Sequence, residues 1–179
     1  WLIMHLCSHS WNLNWVFNMI AAIVAVDNNF GIGFNGELLE RIPDDLKRFK
    51  QLTDDSTVVM GRKTWDSLPK KPLPNRFNII VTSQEVDDND IDIKHSSMEE
   101  VKSFLELDLG IPVFIIGGGM IYRELLPYCQ EVYLTRILKD HDNVDTYFPN
   151  LDEMEEWVQD DCSETYDYNG VNYQYQHYR

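Results

Sequence analysis

Basic residues are scarce: 15 lysines and arginines stand against 30 acids, a formal charge of −15 at pH 7. That deficit argues against nucleic acid or an anionic membrane surface as the main partner, so an anionic ligand must be met by a local basic group. Cysteine is scarce too. Cys7, Cys129 and Cys162 are odd in number and show no CxxC spacing, which argues against a disulfide framework and suits a reducing cytoplasm. No apolar run approaches the roughly 20 residues of a membrane span. No repeat, coiled coil or low-complexity linker divides the chain. With 179 residues and 44% hydrophobic content, one core and one domain remain.

Residues 1–18 stand apart. They are rich in Trp, Leu, Ile and Phe but broken by His, Ser and Asn, and carry no Lys or Arg, which fits neither a secretory signal nor a span. His5, Cys7 and His9 alternate as ligands on a strand could, but no fourth ligand pattern follows and no metal is expected. The sequence starts with Trp, and Met19 opens the first well-patterned strand. Residues 1–18 are therefore expected to be an appendage and 19–179 the domain.

From Met19, buried-strand runs alternate with amphipathic helices, the pattern of a mainly parallel α/β sheet. Strands are expected at 20–26, 57–60, 78–82, 113–116 and 132–137, and helices at 43–52, 62–68, 98–107 and 120–126. In the tail, 157–168 and 171–178 flank Asn169-Gly170, a pair suited to positive φ, which predicts an antiparallel hairpin at one edge. The expected fold is a single-domain mixed sheet with that antiparallel edge and about four flanking helices. Acid concentrated at 85–92 and 140–167 reads as solvated loops and edges. Gly31 to Gly36 holds three glycines in six residues and is expected to be a mobile loop.

The segment Ile42-Pro43-Asp44-Asp45-Leu46-Lys47-Arg48-Phe49 starts a helix, since proline fits the first position and acids suit the positive end of the dipole. Ile42, Leu46, Phe49 and Leu52 form the expected core stripe, with Lys47, Arg48, Lys50 and Gln51 toward water. Asp44 can pair with Arg48 at i, i+4. Asp45, four residues before Phe49, is drawn inward, where desolvation raises a carboxyl above about 3.9. On the helix alone, a terminal acid that only caps is the favoured reading of Asp45, and the other segments reverse it.

Two strand-to-helix turns suit phosphate. Gly117-Gly118-Gly119 follows the strand at 113–116 and precedes a helix, where backbone N–H groups can approach a pyrophosphate. The pattern is not GxGxxG, because Tyr122 stands where the third glycine would be, and by itself it is as often a tight turn. At Met60-Gly61-Arg62-Lys63-Thr64-Trp65 two cations open a helix, an anion site suited to an adenosine 2′-phosphate, or else merely solvated side chains. Ser83 is a candidate third donor.

Together these segments closely resemble the dihydrofolate reductase family. Further matching pieces are Ile23-Val24-Ala25-Val26-Asp27, Pro72-Leu73-Pro74-Asn75-Arg76, Tyr133-Leu134-Thr135 and Asp145-Thr146-Tyr147-Phe148-Pro149, in the family's order across 19–179. The resemblance implies NADPH-dependent reduction of dihydrofolate, with hydride passing from nicotinamide C4 to pterin C6 and protonation at N5. It makes Asp45 the pterin carboxylate, with Thr135 bracing it. Ile23, Ala25, Phe49, Leu68 and Leu73 would line the pterin and aminobenzoyl pocket, and Arg76 would clamp the glutamate α-carboxylate. Arg62 and Ser83 would hold the cofactor's 2′-phosphate, Lys63 and Thr64 its other phosphates, and Gly117, Gly118 and Gly119 its pyrophosphate. Ala25, Ile32, Ile116 and Tyr122 would surround the nicotinamide, with Gly33, Met120 and Ile121 completing the cofactor set. A cytoplasmic monomer is expected, with no nucleic acid or membrane partner.

One departure matters. Where the family usually has Leu-Pro-Trp before this helix, the chain has Leu38-Leu39-Glu40-Arg41, and Glu40 is expected to face solvent and pair with Arg41. A related pyrimidine reductase of riboflavin synthesis is the same-class rival, disfavoured by Asp45 beside Phe49 and by Arg76. A catalytically weak pterin- or nucleotide-binding protein is the alternative from another class, and Glu40 is the feature that permits it.

Overall fold

The computed structural model describes residues 19–84, 92–107 and 110–179. The expected appendage at 1–18, with His5, Cys7 and His9, and most of the acidic run at 85–92 lie outside the described residues.

Six parallel strands form the centre of the main sheet. They are β1 (Ile20–Val26), β4 (Ser56–Gly61), β5 (Arg76–Val81), β6 (Ile93–Ser96), β7 (Val113–Gly117) and β8 (Glu131–Ile137). Antiparallel β12 (Val171–Tyr178) extends the β8 side, with β10 (Gln159–Cys162) outside it and β11 (Tyr166–Tyr168) also paired to β12. The order is β10-β12-β8-β1-β7-β4-β5-β6. The four α-helices among the described residues are α1 (Pro43–Thr53), α2 (Arg62–Ser67), α3 (Met98–Leu105) and α4 (Gly119–Leu125).

Period-two alternation sorts the core into two layers. Ile20, Ala22, Val24 and Val26 face one side with Val101, Leu105, Ile121 and Leu125, so α3 and α4 cover that face. Ala21 and Ile23 face the other with Trp65 and, from α1, Phe49. The acids of 140–167 are exposed, as expected.

The Asn169-Gly170 hairpin forms as expected, both residues at positive φ, but its first arm is broken into β10 and β11. The 31–36 segment differs more. Gly31–Phe34 is a strand, β2, between β3 (Glu37–Leu38) and β9 (Thr146–Tyr147) in a small antiparallel sheet. A Cβ on Gly31 would come within 2.8 Å of Val144 Cγ1, and one on Gly33 within 2.7 Å of the Glu37 carbonyl oxygen. These two glycines permit close packing in a ribbon, where composition had suggested a mobile loop. Asn35 and Gly36, at φ 51° and 81°, make the turn.

On α1 the inward face is turned slightly from the expected stripe. Ile42 and Thr53 are buried and Asp45, Phe49 and Leu52 half-buried, but Leu46 is 47% exposed. Spacing of three and four through 42, 45, 49 and 52 centres the face on Asp45 and Phe49, which leaves Leu46 at its edge.

Candidate active site

Parallel strands flanked by helices are normally buried on both faces. In β1 and β7 the half-buried exceptions are Ala25 and Ile116, near the carboxyl ends, where ligands bind in open α/β sheets. Ala25 lies opposite Thr135 of β8.

Thr135 is 2% exposed, and its hydroxyl donates a 2.5 Å hydrogen bond to Asp45 Oδ1. The sheet fixes the donor and α1, starting at Pro43, brings the acceptor to it. Burial pushes the Asp45 carboxyl above its ordinary value, and the Thr135 hydrogen bond and the Arg48 charge pull it part of the way back. A carboxylate held this way can grip a flat ring bearing N–H donors.

Arg48, expected toward water, instead places its guanidinium 4.4 Å from the Tyr175 ring centroid and 5.8 Å from that of Tyr133. Two ring faces hold it better than an exposed i, i+4 pair with Asp44 could. Its spacing of three from Asp45 was the signal for this placement.

Ile23, Phe49, Leu68 and Leu73 belong to the apolar cluster on the α1 and α2 face of the sheet. Leu73 is pinned by Asn78, whose Oδ1 accepts from the Leu73 N–H at 3.0 Å and whose Nδ2 donates to the Leu73 carbonyl at 3.1 Å. Arg76 is 6% exposed, with Nη1 donating to Thr53 Oγ1 at 2.9 Å and Nε to the Pro74 carbonyl at 3.0 Å. Those bonds fix the guanidinium plane near Phe49, whose ring centroid is 5.9 Å away.

At the glycine turns, the structure assigns different tasks to Gly117, Gly118 and Gly119. Gly117, at φ 109°, would drive a Cβ to 2.8 Å from the Tyr122 ring, and Gly119 would press one to 2.9 Å from Thr146 Cγ2. Gly118 alone of the three could take a Cβ without a clash, which would touch Thr64 Oγ1 at 3.4 Å. The Gly117-Gly118 peptide is cis. Gly118 caps α4 without a side-chain hydrogen bond, and the first N–H to reach it is that of Tyr122. The N–H groups of Gly119, Met120 and Ile121 precede that first intrahelical bond. Met120 is 64% exposed, whereas Ile121 is buried in the core against Gly61, so Ile121 has only its backbone to offer a ligand. Tyr122 is buried edge-on to Phe148, its ring centroid 4.8 Å away, and donates its hydroxyl to the Ile23 carbonyl at 2.7 Å. Ile32 is buried in the same cluster, and Gly33 pairs with Leu38 and Thr146.

Arg62 opens α2 and donates from Nε to both Asp66 carboxylate oxygens at 3.0 Å. Lys63 is exposed, and Ser83 lies exposed just beyond the carboxyl end of neighbouring β5.

Glu40 does not face solvent with Arg41. Arg41 pairs with Glu37 at 2.8 Å, while Glu40 Oε1 lies 2.8 Å from Lys139 Nζ and 3.2 Å from His141 Nε2. Those partners, 99 and 101 residues away, hold its carboxyl below the ordinary range and lay outside any local pairing rule.

A family model described as "Dihydrofolate reductase" matches residues 19–179. The dihydrofolate reductase of Buchnera aphidicola subsp. Acyrthosiphon pisum is 38% identical over 139 residues, covering 77% of this chain and 83% of that protein. A bifunctional dihydrofolate reductase-thymidylate synthase of Daucus carota is 41% identical over 155 residues, covering 73% of this chain but only 28% of its own length. A solved dihydrofolate reductase from Enterococcus faecalis, complexed with NADP(H) and RAB-propyl, superposes with a TM-score of 0.76. It is 30% identical, with 90% of this chain and 95% of that one covered.

Proposed function

The chain belongs to the dihydrofolate reductase family, and from that premise we infer that it reduces 7,8-dihydrofolate to tetrahydrofolate with NADPH. The single observation that carries the reading onto this chain is the half-buried Asp45 carboxylate braced by Thr135 at 2.5 Å. The family match disfavours the pyrimidine reductase alternative, and residues 19–179 serve as the catalytic domain.

Asp45 accepts hydrogen bonds from the pterin N3 and 2-amino group. Thr135 holds it in position, and its negative charge favours protonation at N5 through water. Ile23, Ala25, Phe49, Leu68 and Leu73 enclose the rings and exclude solvent, and Arg76 presents its fixed guanidinium to the glutamate α-carboxylate. The donor set fits a dinucleotide. Gly118 lies beside the Thr64 hydroxyl, and three α4 N–H groups precede the first intrahelical bond, which suits a pyrophosphate with Lys63 alongside. Arg62 and Ser83 would take the 2′-phosphate. Ala25, Ile32, Ile116 and Tyr122 would border the nicotinamide. When bound, NADPH supplies the hydride.

No helix among the described residues is long and apolar enough to cross a membrane. The free thiols of Cys129 and Cys162 support a reducing cytoplasmic setting. Exposed Asp161 on edge strand β10 supports a monomer, since its charge opposes edge pairing with a second copy.

Following absorbance at the nicotinamide band tests the activity. NADPH should be consumed only when dihydrofolate is present, and Asp45→Asn should cut turnover by roughly a hundredfold or more while leaving NADPH binding nearly intact. Equal turnover in that variant would remove Asp45 from the mechanism.

A further inference from the structure

Alternate side chains along β8 and the turn beyond it meet successive positions in the stretch leading into α1. Thr135 donates to Asp45 at 2.5 Å. Ile137, two residues on, shares a buried cluster with Ile42. Lys139, two further, holds Glu40 at 2.8 Å. His141 is next, with Nε2 3.2 Å from Glu40 and Nδ1 3.4 Å from Asp27. Asp27 is fully buried at the end of β1, where its Oδ1 accepts from the Gly31 and Asn29 N–H groups at 2.8 and 2.9 Å. The contacts at 40, 42 and 45 therefore form a zipper whose inner tooth is the acid and whose outer tooth is tied to the end of β1.

Tying the outer tooth has a consequence for the inner one. Asp45 is five residues from Glu40. The residues 40–42, with Ile42 buried beside Ile137, lead directly into the helix that starts at Pro43, so where Glu40 is fixed sets how the chain enters α1 and how deeply Asp45 sits against Thr135. Depth matters because burial is what raises this carboxyl. We propose that Glu40 is a positioning residue for the reduction, clamping the lead-in to α1 through Lys139 and His141 so that Asp45 keeps its depth and orientation. The proposal rests on the reading of Asp45 as the pterin acid.

The groups that face Asp45 are Arg48 on its own helix, Thr135 on β8, and the Tyr122 and Tyr175 phenols. Burial raises both phenols and Arg48 stays cationic, so Asp45 is the member that changes charge between acid and neutral pH. Loss of a merely structural ion pair would lower the melting temperature and leave the kinetic constants in proportion.

The test uses the full chain with Glu40→Gln, Lys139→Met, Lys139→Arg and the double variant Glu40→Gln/Lys139→Met. Each is assayed for kcat, KM for both substrates, pH profile and melting. Glu40→Gln should lower kcat/KM for dihydrofolate by about fivefold, because a small misplacement of a positioned group is costly. KM for NADPH should stay within about twofold. The pH at which kcat/KM breaks should move toward the ordinary carboxylate value as water reaches Asp45. Lys139→Arg should retain wild-type constants, and the double variant should be no worse than Glu40→Gln alone, as for residues acting in one contact.

Wild-type kinetics in Glu40→Gln, or losses for both substrates that track melting, would overturn the proposal. Should Glu40→Gln fail to fold, Lys139→Met against Lys139→Arg decides by the same readouts. If wild type does not consume NADPH with dihydrofolate, or Asp45→Asn equals wild type, the function itself is what fails. If both behave as expected and Glu40→Gln changes nothing, only the clamp does.

Discussion

The two ends of the site hold charge in opposite ways. At one, Asp45 is half-buried and its partner, the Thr135 hydroxyl, is neutral and fixed in the sheet. At the other, Arg62 stands partly in solvent and already has Asp66 as its counter-ion. The buried end is prebuilt, and its chemistry comes from desolvation opposed by one hydrogen bond and one neighbouring charge. At the exposed end, a cofactor phosphate taken by Arg62 as proposed would compete with Asp66 for the guanidinium, so its contribution to binding would be a difference between two ion pairs, which salt screens.

That contrast is open to attack from either side. Thr135→Val keeps shape at the buried end but removes the donor, leaving the carboxylate under-satisfied. Turnover should fall about tenfold or more. With one of the two opposing influences gone, the Asp45 carboxyl should rise further, moving the break in the pH profile upward. A profile that stays put would mean that the hydroxyl orients Asp45 without tuning it. At the exposed end, Arg62→Gln should raise KM for NADPH about tenfold at low ionic strength, less in high salt, with KM for dihydrofolate unchanged. Insensitivity to salt would contradict the exposed-exchange picture.

Stability should separate the two ends as well. A carboxyl whose folded value lies above its unfolded one binds more protons in the native state. Its contribution to stability is therefore fully present below the unfolded value and is lost as pH rises through the raised folded value. Asp45 has been raised by burial, so at neutral pH it weakens the fold. Asp45→Asn should melt above wild type at pH 7, and the gap should narrow as the pH approaches the carboxylate range. Thermal melts of the two proteins across pH check this. A wild type more stable than the variant at neutral pH would mean that the net effect of the site on Asp45 is stabilising.

The same contrast explains what could be read from residues alone. The place of Asp45 was legible because proline and helical periodicity are local and put an acid on the inner face, whereas its role was not, since on the helix alone it read as a capping acid. The Asn169-Gly170 hairpin was legible for the same reason. Ile93-Lys94-His95-Ser96 lacks a clean alternation, and its strand exists because β5 offers an edge to pair with. Gly31 and Gly33 lie in a strand where a loop was expected, because composition alone does not show when glycine lets two backbones meet. Glu40's partners lie about 100 residues away in sequence, and only the return of β8 beside β1 brings them close. Arg62 was legible as a cation at a helix start, but Asp66, its competitor one turn later, changes what that cation can do.

Asp66 is thus the finest probe of the exposed end. It takes Arg62 Nε with both oxygens and also stands 3.9 Å from Lys71 Nζ, so a 2′-phosphate bound there as proposed would share the guanidinium with an existing pair. Asp66→Asn keeps the shape and removes the competing charge. NADPH should bind about two- to threefold more tightly at low salt, the scale of one exposed ion pair. The lost i, i+4 contact costs the fold only a few tenths of a kcal/mol. NADH, which lacks the 2′-phosphate, provides the control, because its affinity should not change. Fluorescence titration of the wild type and the variant with both cofactors gives the comparison directly. Equal tightening for both would place the effect on the pyrophosphate and Lys63, and no tightening for either would mean that Arg62 and Asp66 engage the phosphate as one unit.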